Sequence, residues 1–142
     1  MLSNKYKTLK KTEELLRTAK ESFSSMYLKD MSDGFNHYLK VINNKEFKTN
    51  VDINLGVKID TNGSQKEIKY FSSGYRDLIY ICMRFSLIQA LFKNEHPFVI
   101  LDDPFVNLDE EKTLKALEVL NEFAKQYQII YFVCNSSRLL KS

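Results

Sequence analysis

Two stretches carry residue types whose spacing could do chemistry. In "FVILDDPFVNLD", residues 98–109, a short apolar run ends in two adjacent carboxylates, Asp102 and Asp103. Such a run reads as a buried parallel strand, and α/β folds bind ligands beyond the carboxyl ends of such strands. Carboxylate oxygens there suit Mg²⁺, which keeps several waters and needs only one or two protein carboxylates beside substrate phosphates. Asp102 is then the metal carboxylate, and Asp103 orients or deprotonates an attacking water in phosphoanhydride hydrolysis. A strand followed by a helix-capping Asp would explain one aspartate and leave the other without a reason.

The second stretch is "YFSSGYRDLIYICMRFSL", residues 70–87, which sets Ser72, Ser73 and Gly74 at the head of an apolar helix. Small residues let backbone approach a phosphate, and a helix N-terminus adds favourable positive potential. Arg76, just inside that helix, fits a phosphate or interface contact and a plain surface arginine equally well.

These residues need a framework. Tyr75 to Phe92 has no glycine or proline and is apolar on most faces, which predicts a helix buried against a sheet. Beyond Pro97, "FVIL" (98–101) and "IIYFV" (129–133) read as parallel strands. Between them Leu114, Leu117, Leu120 and Ala124 mark a helix face that starts near Glu110 and Glu111. Strand, helix, strand makes a βαβ unit, so the second half reads as α/β. Upstream, Val51, Ile53, Leu55, Val57 and Ile59 alternate as one strand, and Asn62-Gly63 turns it toward a return strand carrying Ile68 and Tyr70.

Helices precede the hairpin. "MSDGFNHYLKVIN" places Phe35, Tyr38, Leu39 and Ile42 at helical spacing. Before it, Leu2, Lys5, Leu9, Thr12, Leu16, Ala19, Phe23 and Met26 form a heptad-like seam. That seam predicts either a helix packed on the core or the root of a longer coiled coil. Residues 1–29 hold seven Lys/Arg against three Glu, a net +4 that is either a solvated face or a phosphate contact. The expected organisation is a helix over 1–30, the end of a coiled coil, and a lobe over 31–142.

Composition excludes some classes. A chain of 142 residues with 44% hydrophobic and 13% aromatic residues is not a disordered tail. A net charge of +3 permits a nucleic-acid partner without demanding one. No apolar run reaches about 18 residues, so no membrane partner is expected. Cys82 and Cys134 lie in apolar runs without metal-ligand spacing, which reads as buried reduced thiols in a cytoplasmic protein. His37 and His96 match no motif and are expected on the surface or in loops.

Taken together, "FSSGYRD", then "LDDPFVNLD" with Asp102 thirty residues beyond Ser72, then a final apolar strand after one helix, resembles the C-terminal half of an ABC-type ATPase head. The resemblance is nearest to SMC-like chromosome-segregation and DNA-repair ATPases, and it covers nearly the whole chain. It implies ATP and Mg²⁺ as cofactors. Ser72, Ser73 and Gly74 match the signature turn, which in that family contacts the γ-phosphate held by the opposing head. Asp102 matches the Walker B metal carboxylate and Asp103 the catalytic carboxylate, more often glutamate. Asn107, Leu108 and Asp109 match the D-loop that crosses the dimer interface. Asn135 falls at the switch position, where the family often has histidine; Asn donates and accepts hydrogen bonds but carries no charge near neutral pH.

One motif is missing. No G-x-x-x-x-G-K-[ST] occurs, and the glycines at 34, 56, 63 and 74 cannot compose one. The resemblance therefore implies a C-terminal lobe that works with an N-terminal Walker A lobe of the same or a partner chain, with a second head as a homodimer, and with DNA as a further partner. On its own the chain is expected to show little ATPase activity. The alternatives are a degenerate, non-hydrolysing dimerisation module, for which Asp103 and Asn135 speak, and the nucleotide-binding half of an ABC transporter.

Overall fold

The computed structural model describes residues 2–52, 54–61 and 63–135. Helix α1 spans Leu2–Asn43 without interruption, a length of about 63 Å. The expected seam helix and the "MSDGFNHYLKVIN" helix are thus one element. Met31, Phe35, Tyr38, Leu39 and Ile42 are buried, whereas residues 4–22 are all exposed. The seam residues Leu9, Leu16 and Met26 therefore do not pack on the core. Gly34 faces the next long helix, where a β-carbon would make ordinary contact, 3.4 Å from Ser86 Cβ and from Gln89 Oε1.

Three short strands follow, β1 (Thr49–Val51), β2 (Val57–Thr61) and β3 (Ser64–Glu67), in an antiparallel sheet of order β1-β2-β3. The single alternating strand expected over 51–59 is instead cut by a turn. Asp52 Oδ1 accepts from the amides of Asn54 (2.7 Å) and Gly56 (2.9 Å), and Leu55 takes a left-handed φ of 63°. This side-chain turn folds the apolar alternation back on itself, pairing Val51 with Val57. Ile53 and Asn62 lie outside the described residues. The return strand ends at Glu67, and Ile68–Tyr70 form a 3₁₀ turn rather than its continuation.

Helix α2 (Ser73–Leu91) packs on α1 and on α3 (Glu110–Ala124), and its buried residues share one core with those of the strands. Phe85 and Phe123 stack at 4.2 Å, Tyr127 stacks on Phe123 at 4.4 Å, and Tyr38 meets Phe85 edge-on. On α3 the buried residues are Thr113, Ala116, Leu117, Val119, Leu120 and Phe123. Leu114 and Ala124, expected on that face, are exposed.

Strands β4 (Val99–Asp102) and β5 (Ile129–Phe132) pair in parallel, Val99 opposite Ile129 and Asp102 opposite Phe132, with α3 as the crossover. The architecture is α/β: a parallel βαβ core preceded by the antiparallel strands and the long N-terminal helix. Among the described residues no helix is long and apolar enough to cross a membrane.

Candidate functional site

Asp102 is the last ladder residue of β4 and is exposed at the carboxyl edge of the parallel pair. Asp103 has a left-handed φ of 38°, and its amide donates to Phe132 O at 2.9 Å. Asp is among the few residues that tolerate this conformation, so the second aspartate also has a structural reason: it turns the chain off the strand. Phe105, fully buried against Tyr131, fastens the loop that follows. Asn135, exposed three residues beyond the end of β5, lies after the strand paired with β4.

Ser72 is the N-cap of α2, its Oγ accepting from Tyr75 N at 3.4 Å. The first amides of a helix have no intrahelical acceptor, which leaves those of Ser73 and Gly74 at the helix head. Ser72 and Ser73 are exposed and Gly74 is buried. Tyr75 donates to Asn43 Oδ1 at 2.9 Å and rests on Phe71, tying the turn to the end of α1. Burial raises the Tyr75 phenol above its ordinary pKa.

Asp109 caps α3, its Oδ1 accepting from Lys112 N at 2.9 Å and its Oδ2 pairing with Lys112 Nζ. The hydrogen bonds from the Lys112 ammonium and amide hold this carboxyl below the usual range. Asn107 is exposed; Leu108 is half-buried and reaches toward Gly74, where a β-carbon would stand 3.7 Å from its Cδ2. The structure therefore brings two of the groups read from the sequence side by side: the 72–74 turn and the 107–109 loop. Asp102 and Asp103 lie at the carboxyl end of β4, and Asn135 follows the end of the neighbouring strand β5.

No protein-family model matches the sequence. The chain is 29% identical over 82 residues to the DNA double-strand break repair Rad50 ATPase of Sulfurisphaera tokodaii; the match covers 58% of this chain and 9% of that protein. Among solved structures it superposes on the SMC head domain from Thermotoga maritima with a TM-score of 0.65 at 19% identity, over 85% of this chain and 43% of the other. The Smc head domain with an extended coiled coil from Pyrococcus furiosus, bound to the C-terminal domain of ScpA, gives 0.59 at 16% identity, covering 92% and 34%.

The fold is that of part of an SMC head. The chain spans under half of either head structure and about a tenth of the Rad50 relative.

Mg²⁺ fits the donor set. An exposed carboxylate at a strand end, Asp102, offers the hard oxygens the ion prefers. A groove of about 530 Å³ runs beside the antiparallel strands between Asp52, Lys58, Lys69 and Tyr80, away from these carboxylates.

Sequence reasoning missed three residues that build the site: Tyr75, Phe105 and Lys112. Only Lys112 left a signal, a cation in the first turn of a helix where the dipole disfavours it.

Proposed function

We propose that this chain is the C-terminal lobe of an SMC- or Rad50-like ATPase head, completing a composite ATP site when heads pair and coupling nucleotide binding to work on DNA. The observation that carries the reading is the uncovered face of the parallel pair. Phe98, Ile100, Ile130 and Phe132 project from it, with Phe98 59%, Ile100 58% and Phe132 55% exposed. Parallel strands are stable when both faces are covered, and here Val99, Leu101, Ile129 and Tyr131 pack inward while the other face is bare. A lobe carrying the missing phosphate loop supplies that cover, and its nucleotide then meets the carboxylates at the edge of the same sheet.

In this reading Asp102 holds Mg²⁺, which neutralises phosphate charge. Asp103 accepts a proton from water. Ser72 donates its hydroxyl, and the amides at the head of α2 donate theirs, to a phosphate bound on the opposing head. Asn107 and Asp109 face the same interface, and Asn135 stands at the switch position. The exposed, heptad-spaced Leu9 and Leu16 await a partner helix, and the basic N-terminal stretch is the candidate DNA contact.

The test joins this chain to a P-loop lobe and follows single-turnover ATP hydrolysis with Mg²⁺. Asp103→Asn should slow it by roughly 10²–10⁴-fold. Unchanged turnover in that variant, or robust turnover by this chain alone, would contradict the reading.

A further inference from the structure

Lys112 breaks a local rule. It stands at the third position of α3, after the cap Asp109 and residues Glu110 and Glu111. At that position a capping box carries Glu or Gln, and the positive helix end disfavours a cation. Two contacts account for it. Its ammonium and its amide engage the two carboxylate oxygens of Asp109. Its methylene stem fills the place where Gly74 would carry a side chain: a β-carbon there would lie 2.9 Å from Cδ and 3.3 Å from Cε. Only 27% of the side chain is exposed, as expected when a lysine stem covers neighbouring surface while its head reaches a polar partner.

We propose that Lys112 is a positioning residue that couples the 72–74 turn of α2 to the 107–109 loop at the head of α3. The coupling acts through shape on one helix and through charge on the other. A β-carbon at Gly74 requires the stem to shift, and in this proposal that shift draws the ammonium from Asp109, while releasing Asp109 loosens the stem against Gly74. Its purpose rests on the ATPase-head reading, since both elements are offered there to a facing head; its physics does not.

The test uses NMR on this chain, recording the titration of the Asp109 carboxyl and hydrogen exchange of the amide at position 112. Lys112→Met keeps the stem and removes the charge: the Asp109 titration should move to higher pH, and exchange at position 112, whose amide keeps Asp109 Oδ1 as acceptor, should rise by less than the roughly fivefold of a lost cap. Lys112→Arg should restore the titration. Gly74→Ala, on a different helix, should reproduce the Asp109 shift. A wild-type Asp109 titration in Gly74→Ala with retained fold, or in Lys112→Met, overturns the proposal. ATP-dependent pairing of complete heads is scored separately. Coupling without pairing removes the ATPase-head reading alone, and pairing without coupling removes this one.

Discussion

Tyr75 and Asn43 are joined by a 2.9 Å hydrogen bond that links the first turn of α2 to the last residue of α1. A movement of the long helix is thereby felt one residue from Gly74. Tyr75→Phe keeps the ring on Phe71 but leaves the half-buried Asn43 amide oxygen without this donor. The expected loss is about 1 kcal/mol, roughly 3 °C in Tm for a chain of this size. Thermal unfolding of the variant measures it, and an unchanged Tm would show that the bond holds nothing in place.

The two thiols should separate sharply in reactivity. Cys82 is fully buried and its pKa is pushed up by burial, whereas Cys134 is exposed, contrary to the sequence expectation of two buried thiols. An Ellman titration should find one thiol reacting in the native protein and two in denaturant. Two fast thiols in the native state would mean that the α1–α2 packing around Cys82 opens readily.

The bare sheet face should make the isolated chain self-associate. Ile100→Asp with Phe132→Asp should lower the apparent mass at high concentration in sedimentation equilibrium. Stability should fall by no more than about 1 kcal/mol, because both side chains are already exposed and the main cost is a second carboxylate opposite Asp102. Association unaffected by the two charges would place the sticky surface elsewhere.

Acid should destabilise the fold. Hydrogen bonding and pairing with Lys112, Lys115 and Lys125 depress the carboxyls of Asp109, Glu111 and Glu122. A group whose folded pKa lies below its unfolded value stabilises the fold above the unfolded pKa, and loses that contribution as pH falls through the folded one. Urea midpoints should therefore decline as pH drops through and below the ordinary carboxylate range. Lys112→Met should shrink the Asp109 part of the decline, the bond from the amide at position 112 remaining, and an identical pH dependence in that variant would show that the ion pair contributes nothing.

The βαβ half was legible because periodicity and charge speak plainly there: "FVIL", "IIYFV" and the α3 face need no distant contacts to be recognised. The 51–59 stretch was not, because alternation is the same for one strand as for two joined by a tight turn. What decided between them was Asp52 capturing the amides of Asn54 and Gly56. The joint between the two N-terminal helical segments was hidden for a similar reason. The seam before residue 27 and the apolar spacing after residue 31 differ in pattern because the first half of α1 is exposed and the second buries one face. For the candidate site, residue types and spacing singled out the carboxylates and the small-residue turn as candidates, and the structure adds how each is held. Of the contacts that fasten them, Asp109 to Lys112 follows the cap spacing of a helix start, whereas Tyr75 to Asn43 and the Lys112 stem to Gly74 join separate helices, which no spacing rule encodes.

The central claim is that the Ser72 turn completes an ATP site on a facing head. Its most direct measurement is the mass of heads, assembled from this chain and a P-loop lobe, by light scattering with and without ATP, for wild type and for Ser72→Glu, whose carboxylate would face the phosphate. Wild-type heads should pair only with ATP, and Ser72→Glu heads should bind ATP yet remain single. Pairing of Ser72→Glu heads at wild-type ATP concentrations would contradict the account.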